Sequence, residues 1–295
     1  VYASILLISW LGATFIVAGS LTTGELMNLL TYCMSILMSL MMLSMIFVMV
    51  SMSTASAQRI CEVLDEQPDL TNPEHPVFDI PDGSVEFRHV DFAYRKDAEK
   101  PVLRDIDLKV TSGETIGIIG GTGSAKSSLV QLLPRLYDTT AGHVYIGGVD
   151  VRNIEKQELM KRVAFVFQNT CLFKDTLLNN IKAARPDATK EEVLKAADEA
   201  QCKDIIDRLP DGLDTLVGTG GTYLSGGENQ RIALARAILK DAPIIVLDEA
   251  TAFADAENEH QIQLAFERLT QNKTVMMIAH RLSTIQDADL ILVFK

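Results

Sequence analysis

Two short stretches of the sequence carry residue types that could hold and split a nucleoside triphosphate. Gly120-Gly121-Thr122-Gly123-Ser124-Ala125-Lys126-Ser127 follows the phosphate-loop pattern G-x-x-x-x-G-K-[ST], except that Ala125 stands in place of the second glycine. Backbone amides from Gly120 to Ser128 and the N-terminus of the following helix would cradle the phosphates of ATP. Lys126 would reach the β and γ groups, and Ser127 would ligate Mg²⁺. Ala125 is expected to open the helix at negative φ, where a methyl costs little. Further on, Ile244-Ile245-Val246-Leu247-Asp248-Glu249 reads as a buried apolar strand ending in two adjacent acids. Asp248 would position the metal through water, and Glu249 would polarise the attacking water as general base.

Between these stretches lies Leu224-Ser225-Gly226-Gly227-Glu228, followed by an amphipathic run from Asn229 to Lys240. Ser225 and Glu228 have the spacing of a capping box, which would close the N-terminus of a helix. The same capped end, with two glycines allowing close approach, could receive the γ-phosphate held by another chain.

The elements that must position these residues read as an α/β phosphate-loop core. Val85 to Tyr94 and Val102 to Val110 alternate like strands of an antiparallel sheet, and Thr115 to Ile119 is a short buried strand feeding the loop. A helical subdomain is expected from about Gln168 to Lys240. The chain before residue 83 has a different character. Val1 to Gly19 and Met27 to Val50 contain no Lys, Arg or Asp, and each approaches the roughly 20 residues that span a bilayer. A transmembrane helical hairpin follows. Its turn, Ser20 to Leu26, carries one acid and no base, whereas Arg59 follows the second run, so both ends are expected to face the cytoplasm. Met34, Met38, Met41, Met42, Met45 and Met49 would serve helix packing or line a path for varied substrates. The expected division is residues 1–64 as membrane segment, 65–82 as a linker rich in proline and acids, and 83–295 as the nucleotide-binding domain.

A net charge of −12 leaves no basic surplus for phosphate backbones, so nucleic acid is excluded as a partner. Cys33, Cys61, Cys171 and Cys202 lie too far apart for a zinc motif or a disulfide framework, which suits a reducing cytoplasm.

The phosphate loop, the LSGGE signature, the Leu247-Asp248-Glu249-Ala250 segment and Ile278-Ala279-His280-Arg281 occur together in order, and the chain thereby resembles the ABC transporter ATPases. With apolar helices ahead of the ATPase, it is similar to the end of an exporter-type half-transporter, whose six helices would need four more before Val1 and whose domain would continue past Lys295. The resemblance implies that Tyr94 stacks on adenine and that Gln168 senses Mg²⁺ and the membrane domain. It also implies that His280 contacts the γ-phosphate and that Asp255 lies in the loop crossing a dimer interface. Each of two sites would pair Lys126, Ser127, Gln168, Glu249 and His280 of one chain with Ser225 and Gly227 of a second half-transporter. ATP hydrolysis would then drive a drug, lipid, peptide or siderophore across the plasma membrane, with the nucleotide-binding domain in the cytoplasm.

Departures from the pattern leave alternatives open. Leu216-Val217-Gly218-Thr219-Gly220 lacks the acids that many exporters carry there. The loop segment resembles heterodimeric multidrug exporters, whereas Asp248 to Glu259 resembles exporter-fold proteins that import siderophores. A regulatory subunit of weak hydrolysis, with Ala125 as its lesion, and a soluble ATPase of DNA maintenance are the rival readings. Glu249 opposes the first; the apolar helices and acidic balance oppose the second.

Overall fold

The computed structural model describes residues 2–95, 98, 100–167, 170–248, 256–279 and 285–294, with the side chains of 256–259 outside that description. By their contacts the residues fall into two compact units, Val1–Asp69 and Leu70–Lys295.

The first unit holds helix α1, Tyr2–Val17, and helix α2, Thr23–Leu64. They pack where Gly12 admits Leu26; a Cβ on Gly12 would meet the leucine Cδ1 at 2.2 Å. The expected turn contains a capping box, with the Glu25 N–H donating to Thr22 Oγ1 at 3.3 Å and the Thr22 N–H donating to Glu25 Oε2 at 2.8 Å. The second apolar run and the polar stretch after it form one 42-residue helix, which has the length and composition to cross a membrane. Helix α1 is more apolar, with no charged residue, but its 16 residues rise only about 24 Å, short of the roughly 30 Å hydrocarbon layer. The methionines of α2 are exposed on it, as are Leu29, Leu40, Leu43 and Phe47.

In the second unit, strands β1 (Val85–Phe92), β2 (Leu103–Val110), β4 (Ala141–Ile146) and β5 (Val149–Asp150) form an antiparallel sheet in the order β2-β1-β4-β5. Strand β1 alternates as expected, burying Val85 and Phe87, then shifts register before Val90 and Phe92 turn inward again. A parallel sheet is built from β3 (Thr115–Gly120), β6 (Val163–Val166), β9 (Ile244–Asp248), β10 (Thr274–Ile278) and β11 (Leu290–Phe294), in the order β11-β3-β10-β9-β6. All five residues of β9 are buried because both faces of this sheet are covered.

The alternation along β9 and β10 divides the interior. Ile244, Val246, Met276 and Ile278 face a core shared with the antiparallel sheet and helix α3, Lys126–Gln131. Ile245, Leu247 and Val275 face a second core built with helices α5 (Leu177–Lys182), α6 (Lys190–Glu199), α7 (Lys203–Arg208), α8 (Gly226–Lys240) and α9 (Ala256–Thr270). A short helix α4, Lys156–Arg162, leads into β6, and a two-residue ribbon pairs β7 (Asp175–Thr176) with β8 (Leu216–Val217). Part of the stretch expected as linker belongs to this packing: Val77 bridges Ile154, and Ile80 is buried. Strands β3 and β9 flank β10, so the loop after β3 and the acid ending β9 emerge at the same carboxyl edge of the sheet.

Candidate functional site

The loop between β3 and α3 is shaped by its glycines. Gly123 has φ 80°, and a Cβ there or on Gly121 would meet nothing within 4 Å, so open space lies in front of this backbone. Lys126, nearly buried, folds back over the loop and donates from Nζ to the Gly120 carbonyl at 3.0 Å and the Gly121 carbonyl at 2.8 Å. Its ammonium is thus already held at the loop. Ser127 Oγ donates to Asp248 Oδ1 at 3.3 Å, bringing together a loop hydroxyl and a strand-end carboxylate 121 residues apart. This pair of oxygen donors suits Mg²⁺, which takes few protein ligands and leaves positions for water and phosphate.

Ala125 corrects the expectation made for it. It sits at φ 65°, ψ 18°, in the left-handed region, just before the first helical residue rather than within the helix. The motif's usual glycine explains why: the turn into α3 needs a positive φ that glycine adopts freely. The alanine methyl is packed against the core beneath the loop.

Tyr94 is half-exposed, and its hydroxyl lies 2.7 Å from Ser128 Oγ. Its ring meets Phe92 edge-on at 4.9 Å and Tyr137 edge-on at 5.1 Å. Tyr137 escaped the sequence reading because it lies in a turn 43 residues further along, where no periodicity links it to Tyr94.

At the signature, Ser225 caps α8: the Glu228 N–H donates to Ser225 Oγ at 3.3 Å, and the Ser225 N–H donates to Glu228 Oε2 at 2.7 Å. The expected capping box is therefore present, and α8 begins at Gly226, before the amphipathic run. Arg208 on α7 also pairs with Glu228. Burial would raise the Glu228 carboxyl, but the Ser225 amide and the Arg208 guanidinium outweigh it and hold the pKa below its ordinary value. One turn on, buried Arg231 donates to both carboxylate oxygens of Asp204, at 2.7 and 2.9 Å.

A third feature was not singled out from the sequence. Arg236 of α8 donates to the Asn180 carbonyl at 2.7 Å, to Asn180 Oδ1 at 2.8 Å and to the Cys171 carbonyl at 3.0 Å. Buried Asn180 in turn accepts from the Phe173 N–H at 2.8 Å and donates to the Phe173 carbonyl at 3.0 Å. Gly218 fits against the same segment; a Cβ there would stand 2.4 Å from the Phe173 carbonyl oxygen. The signature helix, the glycine-rich approach to it and segment 171–173 are therefore fastened together. An arginine on the buried side of an amphipathic helix was the available signal. Gln168, Glu249, Asp255 and His280 lie outside the described residues.

A family model described as ABC transporter matches residues 103–252. The chain belongs to the ABC transporter family. Its structure aligns with that of a bacterial Atm1-family ABC exporter with ATP bound, at a TM-score of 0.77 and 34% identity, covering 100% of this chain and 52% of the other. An ATP-dependent lipid A-core flippase of Desulfotalea psychrophila is 40% identical over 98% of this chain and 50% of its own length. The heavy metal tolerance protein of Schizosaccharomyces pombe is 42% identical over 96% of this chain and 34% of its own. A putative multidrug export ATP-binding/permease protein of Bacillus subtilis, YgaD, is 40% identical over 95% of this chain and 48% of its own. This ABC transporter chain thus spans about half the length, or less, of these curated relatives. The fold expected from its phosphate loop and signature is the ABC ATPase fold, and the domain binds ATP.

Proposed function

We propose that the chain is part of an exporter-type half-transporter, and that its ATPase domain binds ATP with Mg²⁺ at the loop from Gly120 to Ser128. The observation that carries this reading is the approach of Ser127 Oγ to Asp248 Oδ1 at 3.3 Å beside a lysine already gathered onto the loop. When bound there, Mg²⁺ would neutralise charge on the phosphates. Ser127 and Asp248 would hold it, with Gln168 at its edge; Lys126 would bind the β and γ groups; Tyr94 would carry the base. Glu249 would take the proton of the attacking water, and His280 would orient the γ-phosphate.

The signature Leu224 to Glu228 would complete the site of a second half-transporter, with Ser225 and Gly227 at its γ-phosphate and Asp255 at the crossing between the two. The hydrolysis cycle would move membrane helices, of which α2 has the length to span. Plasma-membrane location, several passes and a cytoplasmic ATPase domain follow from this reading. Relatives named for a lipid A-core flippase, multidrug export and heavy metal tolerance support export over import, and they leave the cargo as a drug, lipid, peptide or siderophore.

The test is Glu249→Gln in the purified full-length protein. ATP binding should persist while turnover falls by about 10² or more, the contribution of a general base. Unchanged turnover would remove Glu249 from that role.

A further inference from the structure

A tyrosine that is to carry a base must keep its ring in one orientation, yet an exposed phenol on a strand end has two torsions to lose. Tyr94 is 53% exposed, and three contacts hold it. Phe92, fully buried, lies edge-on beneath it at an interplanar angle of 75°. Tyr137, 41% exposed, stands beside it at 88° and also packs on Phe92 at 5.5 Å, so it spans the core residue beneath the ring and the ring itself. Ser128 Oγ meets the hydroxyl at 2.7 Å, linking the ring to the phosphate loop.

The turn that carries Tyr137 is itself fastened. Arg135 donates from Nε to Asp138 Oδ1 at 2.7 Å and from a second nitrogen to Asp138 Oδ2 at 3.1 Å. Two residues past Asp138, Thr140 is tied to the chain that carries Tyr94: the Ala93 N–H donates to Thr140 Oγ1 at 3.0 Å, and the Thr140 N–H donates to the Asp91 carbonyl at 2.9 Å. Backbone beside Tyr94 and backbone three residues past Tyr137 are therefore hydrogen-bonded to each other.

We propose that Tyr137 is a positioning residue for base recognition: edge-on packing by Tyr137 and the bond to Ser128 hold the face of Tyr94 ready for a purine. This rests on the ATP reading of the phosphate loop. Its consequence is that the base, and not the phosphates, loses affinity when Tyr137 is shortened. An edge-on aromatic pair is worth about three- to tenfold in such an equilibrium.

Binding of Mg²⁺-ATP and of Mg²⁺-tripolyphosphate, which has the phosphates without the base, is measured by calorimetry on the full-length protein. Tyr137→Leu should weaken ATP about three- to tenfold and leave tripolyphosphate within about twofold, and Tyr137→Phe should restore ATP. With Tyr94→Ala already present, Tyr137→Leu should add nothing. Tyr137→Gln, suited to an exposed turn, takes the place of the leucine variant if that variant does not fold. Equal losses for both ligands would mean a merely structural role, and an additive loss on the Tyr94→Ala background would mean direct contact with the base; either overturns the proposal, as does unchanged ATP affinity. If the natural protein binds both ligands equally, the proposal alone fails. If it binds neither, the nucleotide reading fails with it.

Discussion

An alanine at φ 65° places its methyl in the left-handed region, at a cost of about 1 kcal/mol relative to glycine. Two effects oppose that cost at Ala125. The methyl packs against the core under the loop, and alanine gives up roughly 0.4 to 1 kcal/mol less chain entropy on folding than glycine does. Terms of equal size and opposite sign leave a small remainder. Ala125→Gly should therefore change ATP affinity and turnover by less than about tenfold, or 1.4 kcal/mol, when both proteins are titrated with ATP and Mg²⁺. A gain well beyond tenfold would mean a damaged phosphate loop and would favour the regulatory-subunit reading. The meeting of Lys126, Ser127 and Asp248 at one sheet edge was legible at this scale, because all three are fixed by spacing against a strand end. The left-handed turn was misjudged, although the glycine usual at that position was itself the sign of a positive φ. Tyr137 and the Arg236–Asn180 pair were not legible, since each depends on chain segments that only the tertiary fold brings together.

Among the elements, the sheets were the more readable part. Strand β1 alternates because one face is buried, and β9 is apolar throughout because both are, so period and composition point to the two sheet types. Strand order was not readable: β10 lies between β3 and β9 although it follows both in the chain. The register shifts in β1 were hidden too; they accompany His89 at φ 46° and Asp105, on the paired strand β2, at φ 49°. At the sheet edge formed by β4 and β5, Asp150 is largely buried between His143 and Arg152, with Arg152 donating to it at 2.8 and 3.1 Å. Burial would raise its pKa, but the hydrogen bonds from Arg152 and His143 prevail and bring it to about 2, against an ordinary 3.8. A folded-state pKa below the unfolded one gives stability that is present above pH 3.8 and lost as pH falls toward 2. Discounted for solvent screening, Asp150→Asn should cost roughly 1 to 2 kcal/mol at pH 7 and flatten the loss of stability between pH 4 and 2. Unfolding of the two full-length proteins across that range measures it; parallel curves would show that Asp150 carries no such linkage.

For the molecule as a whole, the residues fall into two compact units, Val1–Asp69 with its exposed 42-residue apolar helix and Leu70–Lys295 with the phosphate loop and the signature. On the proposed reading, a single chain leaves the site incomplete. Ser225 caps α8 with its Oγ and leaves Gly226 and Gly227 at a helix start, a place suited to the γ-phosphate that a partner chain's phosphate loop is proposed to hold. If the site is shared, damage to one half must be rescued by damage to the other half in a different chain. Ser225→Arg should abolish hydrolysis by blocking the anion position, and Lys126→Ala should abolish it by removing the lysine that binds the phosphates. A heterodimer of the two has one site with both lesions and one with neither. Mixing the full-length proteins under conditions where subunits exchange should therefore restore turnover from a single intact site, while each parent alone stays inactive. The heterodimer must be captured through two different tags so that its formation is seen independently of its activity. A heterodimer as inactive as its parents would mean either that both lesions act within one chain or that hydrolysis needs two intact sites, and a covalently linked pair with one wild-type half distinguishes these. Were that linked pair active and the complementing pair not, the trans arrangement would be wrong.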